Sequence, residues 1–454
     1  MLISQTNGNP DVFNKKLLSL ILFVSATHTA TAQNLQEIYH LAIENEPEYK
    51  AAYLNQFSAA ESRSQSIAQM LPNISAVAKS SRNRLYSKKA TYQGAGIQNY
   101  WSQTVNLQLT QPVFHWEHWI QIDQSDNQIA QAEAQFQAQN QALILKVVEA
   151  YFNILSAQDT LTFAEAEKKA IGKQLEQAQQ RFEVGLIPIT DVHEAHAAFD
   201  EANANVIDAA NQLDNEKENL QELIGYYDQE LDLLAEDVPL VLPEPADIDA
   251  WAKTAENNNF NIIAQLNQTE FARKNVALQR SGHIPTLDIV ASYGASDVNS
   301  IFGLRGDTQS VGLQLNIPVF EGGAVYSRTK QAEFDFRKER ENLTKVKRTV
   351  IRDVKNAFRG VTSSISRVKA LKAAVKSAVS ALEATEAGFE VGTRTMVDVL
   401  TGQRNLYRVK RDYARSRYDY LVNMIRLKNA AGSLSEADID AINQFLVATT
   451  PASQ

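Results

Sequence analysis

Two hydrophobic rhythms run along this chain, and each appears twice. A seven-residue rhythm sets Phe136, Leu143, Ala150, Ala157, Ala164, Ile171 and Ala178 on one line, with Val147, Ile154, Leu161, Leu175 and Phe182 on the adjoining one and Lys168 as the charged break. Farther on, Val354, Val361, Val368, Val375, Leu382 and Phe389 repeat the spacing beside Leu343, Val350, Ala357, Leu371 and Ala378. This pattern predicts long helices packed as coiled coils, and the many alanines predict close approach between them. A two-residue rhythm marks other stretches. Trp101, Val105, Leu107 and Leu109 share one parity, while Ser102, Thr104, Asn106, Gln108 and Thr110 hold the other. Leu287, Ile289, Ala291 and Tyr293 alternate after Pro285, and Val311, Leu313, Leu315 and Ile317 before Pro318. Such alternation predicts strands with one apolar and one polar face over about 101–112, 286–295 and 308–318, and the more polar run over about 74–86 reads as the partner of the first. They read as two hairpins, the first with a loop around Gly94 and Gly96.

Both rhythms belong to an internal duplication. Phe182-Glu183-Val184-Gly185, followed by Asp191-Val192, recurs 207 residues later as Phe389-Glu390-Val391-Gly392, followed by Asp398-Val399. The same shift superposes the two heptads. Gln111-Pro112-Val113-Phe114 returns as Ile317-Pro318-Val319-Phe320 at an offset of 206. Repeats that cannot bury their own surfaces build tubes, rings or solenoids. The expected organisation is a first repeat over 33–225, a linker over 226–250 containing Pro239, Pro243 and Pro245, a second repeat over 251–432, and an acidic tail over 433–454. Within the first repeat, a helix over Leu35–Met70 stops before Leu71-Pro72. A second helix runs from about Trp116 to Glu183, 68 residues, and so extends about 100 Å. It turns at Val184-Gly185 into a half-length helix over Asp191–Ile224.

The ends and the composition say where such a tube works. Lys15-Lys16, an apolar run from Leu17 to Val24 and the triplet Ala30-Thr31-Ala32 form a secretory signal over 1–32, so the mature chain is expected to begin at Gln33. No later stretch reaches the ~20 apolar residues of a spanning helix. With no cysteine there is no disulfide framework and no thiol to carry a lipid, so membrane attachment must come from the folded chain. A net charge of −9 and a pI near 5.4 argue against a nucleic-acid partner, which needs a basic face. Four strands cannot close a barrel, and an open sheet edge cannot face lipid. Transmembrane barrels begin at about eight strands, so two or more copies are required if these strands lie in a membrane.

Candidate chemistry is sparse. His193-Glu194-Ala195-His196 has two residues between its histidines and is not the zinc-protease arrangement, so exposed or structural histidines are expected. His115 and His118 alternate with Trp116 and Trp119 where strand becomes helix; these aromatics suit either a membrane-interface belt or core packing. Gly322-Gly323 lacks the Gly-Lys-Ser/Thr ending of a phosphate loop and reads as a strand-to-helix turn, while Gly185 and Gly392 read as left-handed helix caps. Asp191 reads as a helix N-cap, with Glu194 completing a capping box. No nucleophile, base and orienting group come together, so neither an enzyme nor a cofactor is expected.

Taken with Leu35-Gln36-Glu37-Ile38-Tyr39, Asn45-Glu46-Pro47, Glu321-Gly322-Gly323 with Ser327, Val391-Gly392-Thr393-Arg394, Val397-Asp398-Val399-Leu400 and Ala431-Gly432, the chain resembles the TolC family of outer-membrane efflux channels over nearly all of its mature length. The resemblance implies a mainly α fold with a small β part. It implies a homotrimer whose twelve strands form one outer-membrane barrel in lipid and whose twelve antiparallel helices form a periplasmic tunnel. It further implies work with a periplasmic adaptor and an inner-membrane pump of RND, ABC or MFS type, to expel drugs, other small molecules or secreted proteins. Gate positions fall on Thr190, Asp191, Phe389, Arg394, Asp398 and Thr401, and adaptor-docking tips on Val184, Gly185, Leu186, Val391, Gly392 and Thr393. Two departures stand out, since Phe389 takes the place of a tyrosine and Thr401 that of a second aspartate. Arg394, whose first-repeat counterpart is Ile187, is expected to bond Thr190 or Asp191. An exported coiled-coil scaffold or adaptor without membrane insertion is the alternative.

Overall fold

The computed structural model describes residues 33–91, 94–226, 230–298 and 305–447. The expected signal segment and the last residues of the tail lie outside them. The first repeat runs α1 (Leu35–Asn45), α2 (Pro47–Ala68), β1 (Asn73–Thr91), β2 (Gly94–Phe114), α3 (Trp116–Glu183) and α4 (Ile189–Ile224). After β3 (Leu233–Leu234), the second repeat runs α5 (Ile248–Asn258), α6 (Phe260–Arg280), β4 (Thr286–Val298), β5 (Arg305–Asn316), α7 (Ala324–Glu390) and α8 (Met396–Ala431). α9 (Glu436–Asn443) and β6 (Leu446–Val447) follow.

α3 covers the residues that the heptad predicts, and 68 residues carry it about 100 Å. Its heptad line is buried from Leu143 through Ala178, and α4 meets it with Ala195, Ala198, Ala202 and Ala209. Alanine on both sides lets the backbones approach closely, so specificity there rests on shape. α7 uses larger Val350, Val354, Val361 and Val368 in the matching seam against α8. On the sheet side of the molecule the neighbouring helices are α2, α3, α6 and α7; on the other side they are α4, α3, α8 and α7. The two long helices thus pass through both levels.

Between the levels lies the main core, where Tyr39 of α1, Tyr151 and Phe152 of α3, Leu220 of α4 and Leu427 of α8 are almost completely buried. One expectation changes here. The continuous Leu35–Met70 helix is broken, because Pro47 has no N–H to continue α1; Glu46 instead caps α2, its carboxylate accepting from the Tyr49 N–H at 2.7 Å. The linker and the tail meet in space. Leu233–Leu234 pairs antiparallel with Leu446–Val447, Ile439 and Ile442 of α9 enter the core, and Tyr39 donates to Glu436 at 3.1 Å. Linker and tail together form a girdle around the midpoint of the long helices.

All four long strands form one antiparallel sheet in the order β1-β2-β4-β5. They run longer than the alternation indicates, and β1 and β2 continue almost to their connection, so Gly96 pairs with Ser87 inside the ladder and is not in a loop. Pro112 is no strand exit: β2 pairs through it with Asp288 and reaches Phe114 across a register shift, the usual accommodation where a proline removes a ladder donor. β5 ends at Asn316, ahead of Ile317-Pro318.

Candidate functional site

Register settles which side chains share a face of this sheet. Ile74 pairs with Leu109, Leu109 with Ala291, and Ala291 with Val311, so four strands contribute one apolar row. The next rows on that face are Ala76-Leu107-Tyr293-Gln309 and Ala78-Val105-Ala295-Asp307 on one side, where β5 turns polar, with Gln111-Ile289-Leu313 and Phe114-Leu287-Leu315 on the other. The opposite face is mainly polar, with rows Ser75-Gln108-Ser292-Ser310 and Val77-Asn106-Gly294-Thr308. The apolar face is bare: Val311 is 81% exposed and Leu313 73%. β1 and β5 are open edges, each paired on one side only. Trp116 and Trp119, about half exposed at the strand-to-helix junction, are not core residues. No helix among the described residues is long and apolar enough to cross a membrane.

At the other end of the long helices, two turns are joined by one apolar cluster. Ile171, Ala178, Ala195, Ala198 and Ala202 from the first repeat meet Met396 and Leu400 from the second, with Ile187 and Phe389 packed against them. Both turns close in the same way. Leu186 N–H donates to the Arg181 carbonyl at 2.9 Å and Gly185 N–H to Phe182 at 2.8 Å; Thr393 N–H donates to Gly388 at 2.8 Å and Gly392 N–H to Phe389 at 3.1 Å. This double closure requires a left-handed residue, and Gly185 and Gly392 supply it at φ 76° and 77°. Val184, Leu186 and Val391 project outward, each at least 70% exposed.

Helix starts beyond these turns differ between the repeats. Thr395 caps α8 in a full capping box: its hydroxyl accepts from the Asp398 N–H at 3.2 Å, and Asp398 Oδ2 accepts from the Thr395 N–H at 3.0 Å. The Thr395 N–H and then its hydroxyl hold the Asp398 carboxyl below the usual carboxylate range. The Asp191 cap does not form. α4 begins two residues earlier than expected, with Pro188 at the cap position and no side-chain cap bond, which leaves Asp191 within the first turn.

Within the protomer and among the described residues, the Arg394 side chain forms neither a hydrogen bond to Thr190 nor an ion pair with Asp191; its charge acts on Asp398, which it helps to hold ionised. Its backbone N–H donates to Gly388 at 3.2 Å, and its side chain folds back over that glycine, where an added Cβ would lie 2.7 Å from Arg394 Cγ. Gly388 corresponds to Arg181 in the first repeat. Arg181 sits over the Phe389 ring, its guanidinium carbon 5.0 Å from the centroid. The repeats have therefore exchanged positions for their tip arginine, Arg181 with Ile187 in one and Gly388 with Arg394 in the other. Sequence reasoning missed Arg181 and Gly388; comparing the repeats one turn before the glycines would have exposed both. Thr401 lies on the surface of α8, three residues beyond Asp398. His193 and His196 do not converge on a ligand, since His196 Nδ1 is 3.0 Å from Asp200 Oδ2.

A bare apolar strand face on one side of a helical shaft is the geometry of a channel that inserts by a barrel, and sequence comparison decides its lineage. The model of the outer membrane efflux protein family matches residues 38–226 and 251–433. The chain belongs to the outer membrane efflux protein family. It is 37% identical to the outer membrane protein TolC of Vibrio cholerae over 95% of this chain and 99% of that protein. With the outer membrane protein TolC of Escherichia coli K12 the identity is 35% over 96% of this chain and 91% of the other. The Campylobacter jejuni CmeC outer membrane channel superposes with a TM-score of 0.76 over 98% of each chain at 16% identity, which shows a shared fold. Efflux-family membership puts the chain in the Gram-negative outer membrane with a large periplasmic part, and the scaffold that never inserts is set aside.

Proposed function

We infer that three copies of this chain close a twelve-strand barrel above a helical tunnel. In this reading they serve as the passive exit duct of a tripartite efflux or type I secretion system. The observation that carries this reading is the sheet itself, whose four strands turn one apolar face outward and leave two edges unpaired. Unpaired backbone groups are costly in lipid, so β5 of one copy pairs with β1 of the next until the ring closes. The polar rows line the lumen. A periplasmic adaptor docks on the tips at Val184, Gly185, Leu186, Val391, Gly392 and Thr393, where exposed apolar knobs offer contact area. Energy comes from an inner-membrane pump of RND, ABC or MFS type.

The gate lies beside those tips, at Thr190, Asp191, Phe389, Arg394, Asp398 and Thr401. Phe389 is held by packing and by Arg181, because phenylalanine has no hydroxyl to bond across the mouth. Arg394 reaches Thr190 or Asp191 of the adjoining copy and keeps the mouth narrow. In planar bilayers, Arg394→Ser is expected to raise single-channel conductance; a conductance equal to that of the wild type sinks the gate.

Three Asp398 side chains form a ring at the mouth. Oδ2 is committed to Thr395, and Oδ1 faces the lumen. Bulky multivalent cations are expected to block the wild-type pore and to lose that block in Asp398→Ala. Equal block of both proteins would rule out the ring.

A further inference from the structure

The channel reading leaves one group of side chains unused. Where β2 passes into α3, the sequence His115-Trp116-Glu117-His118 folds so that one ligand atom each from His115, Glu117 and His118 lie within 4.8 Å of one another. His115 occupies the N-cap position of α3 but makes no cap bond. Its ring is instead held between two carboxylates, with Nδ1 2.8 Å from Glu117 Oε1 and Nε2 2.9 Å from Asp288 Oδ1 on β4. The His118 ring stacks on His115 with centroids 4.7 Å apart and planes 9° from parallel. His118 Nδ1 is shut off from water and has no hydrogen-bond partner among the described residues. A buried ring nitrogen without a partner carries a cost that a structural latch does not need.

We propose that His115, Glu117 and His118 bind a zinc ion, with Asp288 orienting His115. Two imidazole nitrogens and one carboxylate oxygen are the ligand set of an open zinc site, with a fourth position for water. Asp288 accepts the Nε2 proton of His115, which fixes the tautomer that presents the Nδ1 lone pair to the metal, as carboxylate-histidine-zinc groupings do. Zinc displaces the proton shared between His115 Nδ1 and Glu117. His118 must turn out of its stack, because parallel rings cannot aim in-plane lone pairs at one point. The ligand atoms then close to about 3.3 Å from one another around a tetrahedral ion. The fold does not demand this set: the matching positions in the second repeat are Glu321, Gly323 and Ala324. The site ties the first residues of α3 in one repeat to β4 of the other, at the joint between sheet and helices.

The test uses the full-length protein, purified in detergent, stripped with a chelator and dialysed against buffered zinc. One zinc per chain is expected, together with a higher unfolding temperature. His118→Gln should lose the ion while keeping its oligomer and circular dichroism. Asp288→Asn should weaken binding by about 10–100-fold, the range for such second-layer groups. His193→Ala and His196→Ala should leave binding unchanged. Cobalt(II) added to the wild type needs no variant and should give the intense visible bands of a four-coordinate ion. Zinc bound equally by wild type and His118→Gln, no stoichiometric zinc, or only the weak spectrum of aqueous cobalt would overturn the site and leave a hydrogen-bonded latch.

Discussion

Val311→Arg should abolish the mature channel in the outer membrane, whereas Ser310→Arg, one residue away, should leave it assembled. Val311 lies midway along β5 in the row Ile74-Leu109-Ala291-Val311 and is 81% exposed. If that face meets lipid, an arginine there costs up to about 2–4 kcal/mol, the larger the nearer it lies to the bilayer midplane. A trimer repeats the cost in each copy, which makes this one of the largest effects available to a single substitution. Ser310 pairs with Ser292 on the polar face, and their hydroxyls are 2.7 Å apart. An arginine on that face enters the water-filled lumen, where the same charge is hydrated. The measurement is the yield of heat-resistant oligomer in outer-membrane fractions. Equal yields from the two variants would mean that the apolar face does not contact lipid, and the barrel reading would fall with it.

The second large effect is expected at the girdle. Gly432 follows α8 at φ 72°, and a Cβ added there would lie 2.5 Å from the Asn258 carbonyl oxygen and 2.7 Å from Asn259 Cα. Those atoms belong to the corner between α5 and α6. The corner is stiff, because Asn259 caps α6 through the Asn261 N–H at 3.0 Å and donates to the Ala430 carbonyl at 2.9 Å. Gly432→Ala therefore carries the left-handed penalty of about 1–2 kcal/mol and an overpacking cost of about 1–3 kcal/mol against backbone that cannot move aside. Gly392→Ala is the control. Its φ is 77°, yet nothing lies within 4 Å of the added methyl group, so only the first cost applies. Scanning calorimetry of the two purified proteins should show a clearly larger fall in unfolding temperature for Gly432→Ala. Equal falls would show that the girdle yields.

Helices and strands were legible because their periodicities are local. Seven-residue spacing marked the buried seam of α3, and parity identified the apolar side of β2, β4 and β5. Errors arose where a local pattern admitted two backbone solutions. The apolar content from Leu35 to Met70 continues smoothly through Pro47, so the break between α1 and α2 turned on one missing N–H and an acidic cap. Asp191 looked like a cap because Asp and Glu stand three apart. The repeat comparison pointed the other way, since the counterpart of Asp191 is Asp398, and Asp398 is the box partner of Thr395, not the cap. The pairing of linker and tail has no local signal, because β3 and β6 stand more than 200 residues apart and carry two residues each.

Chain chemistry alone was enough for the duplication, the lengths of the helices and the alternating strands, since each depends on residues close in sequence. Contacts between distant segments settled the rest. Parity cannot tell whether four strands turn their apolar sides the same way; the ladder register did. A glycine at 388 and an arginine at 181 acquire meaning only when one lies beneath Arg394 and the other over Phe389. His115 meets Asp288 across 173 residues because the strand-to-helix turn of one repeat abuts the first strand of the other. Spacing sets local geometry, but the placing of one repeat against the other depends on how their surfaces pack, and packing is what a folded chain adds to its sequence.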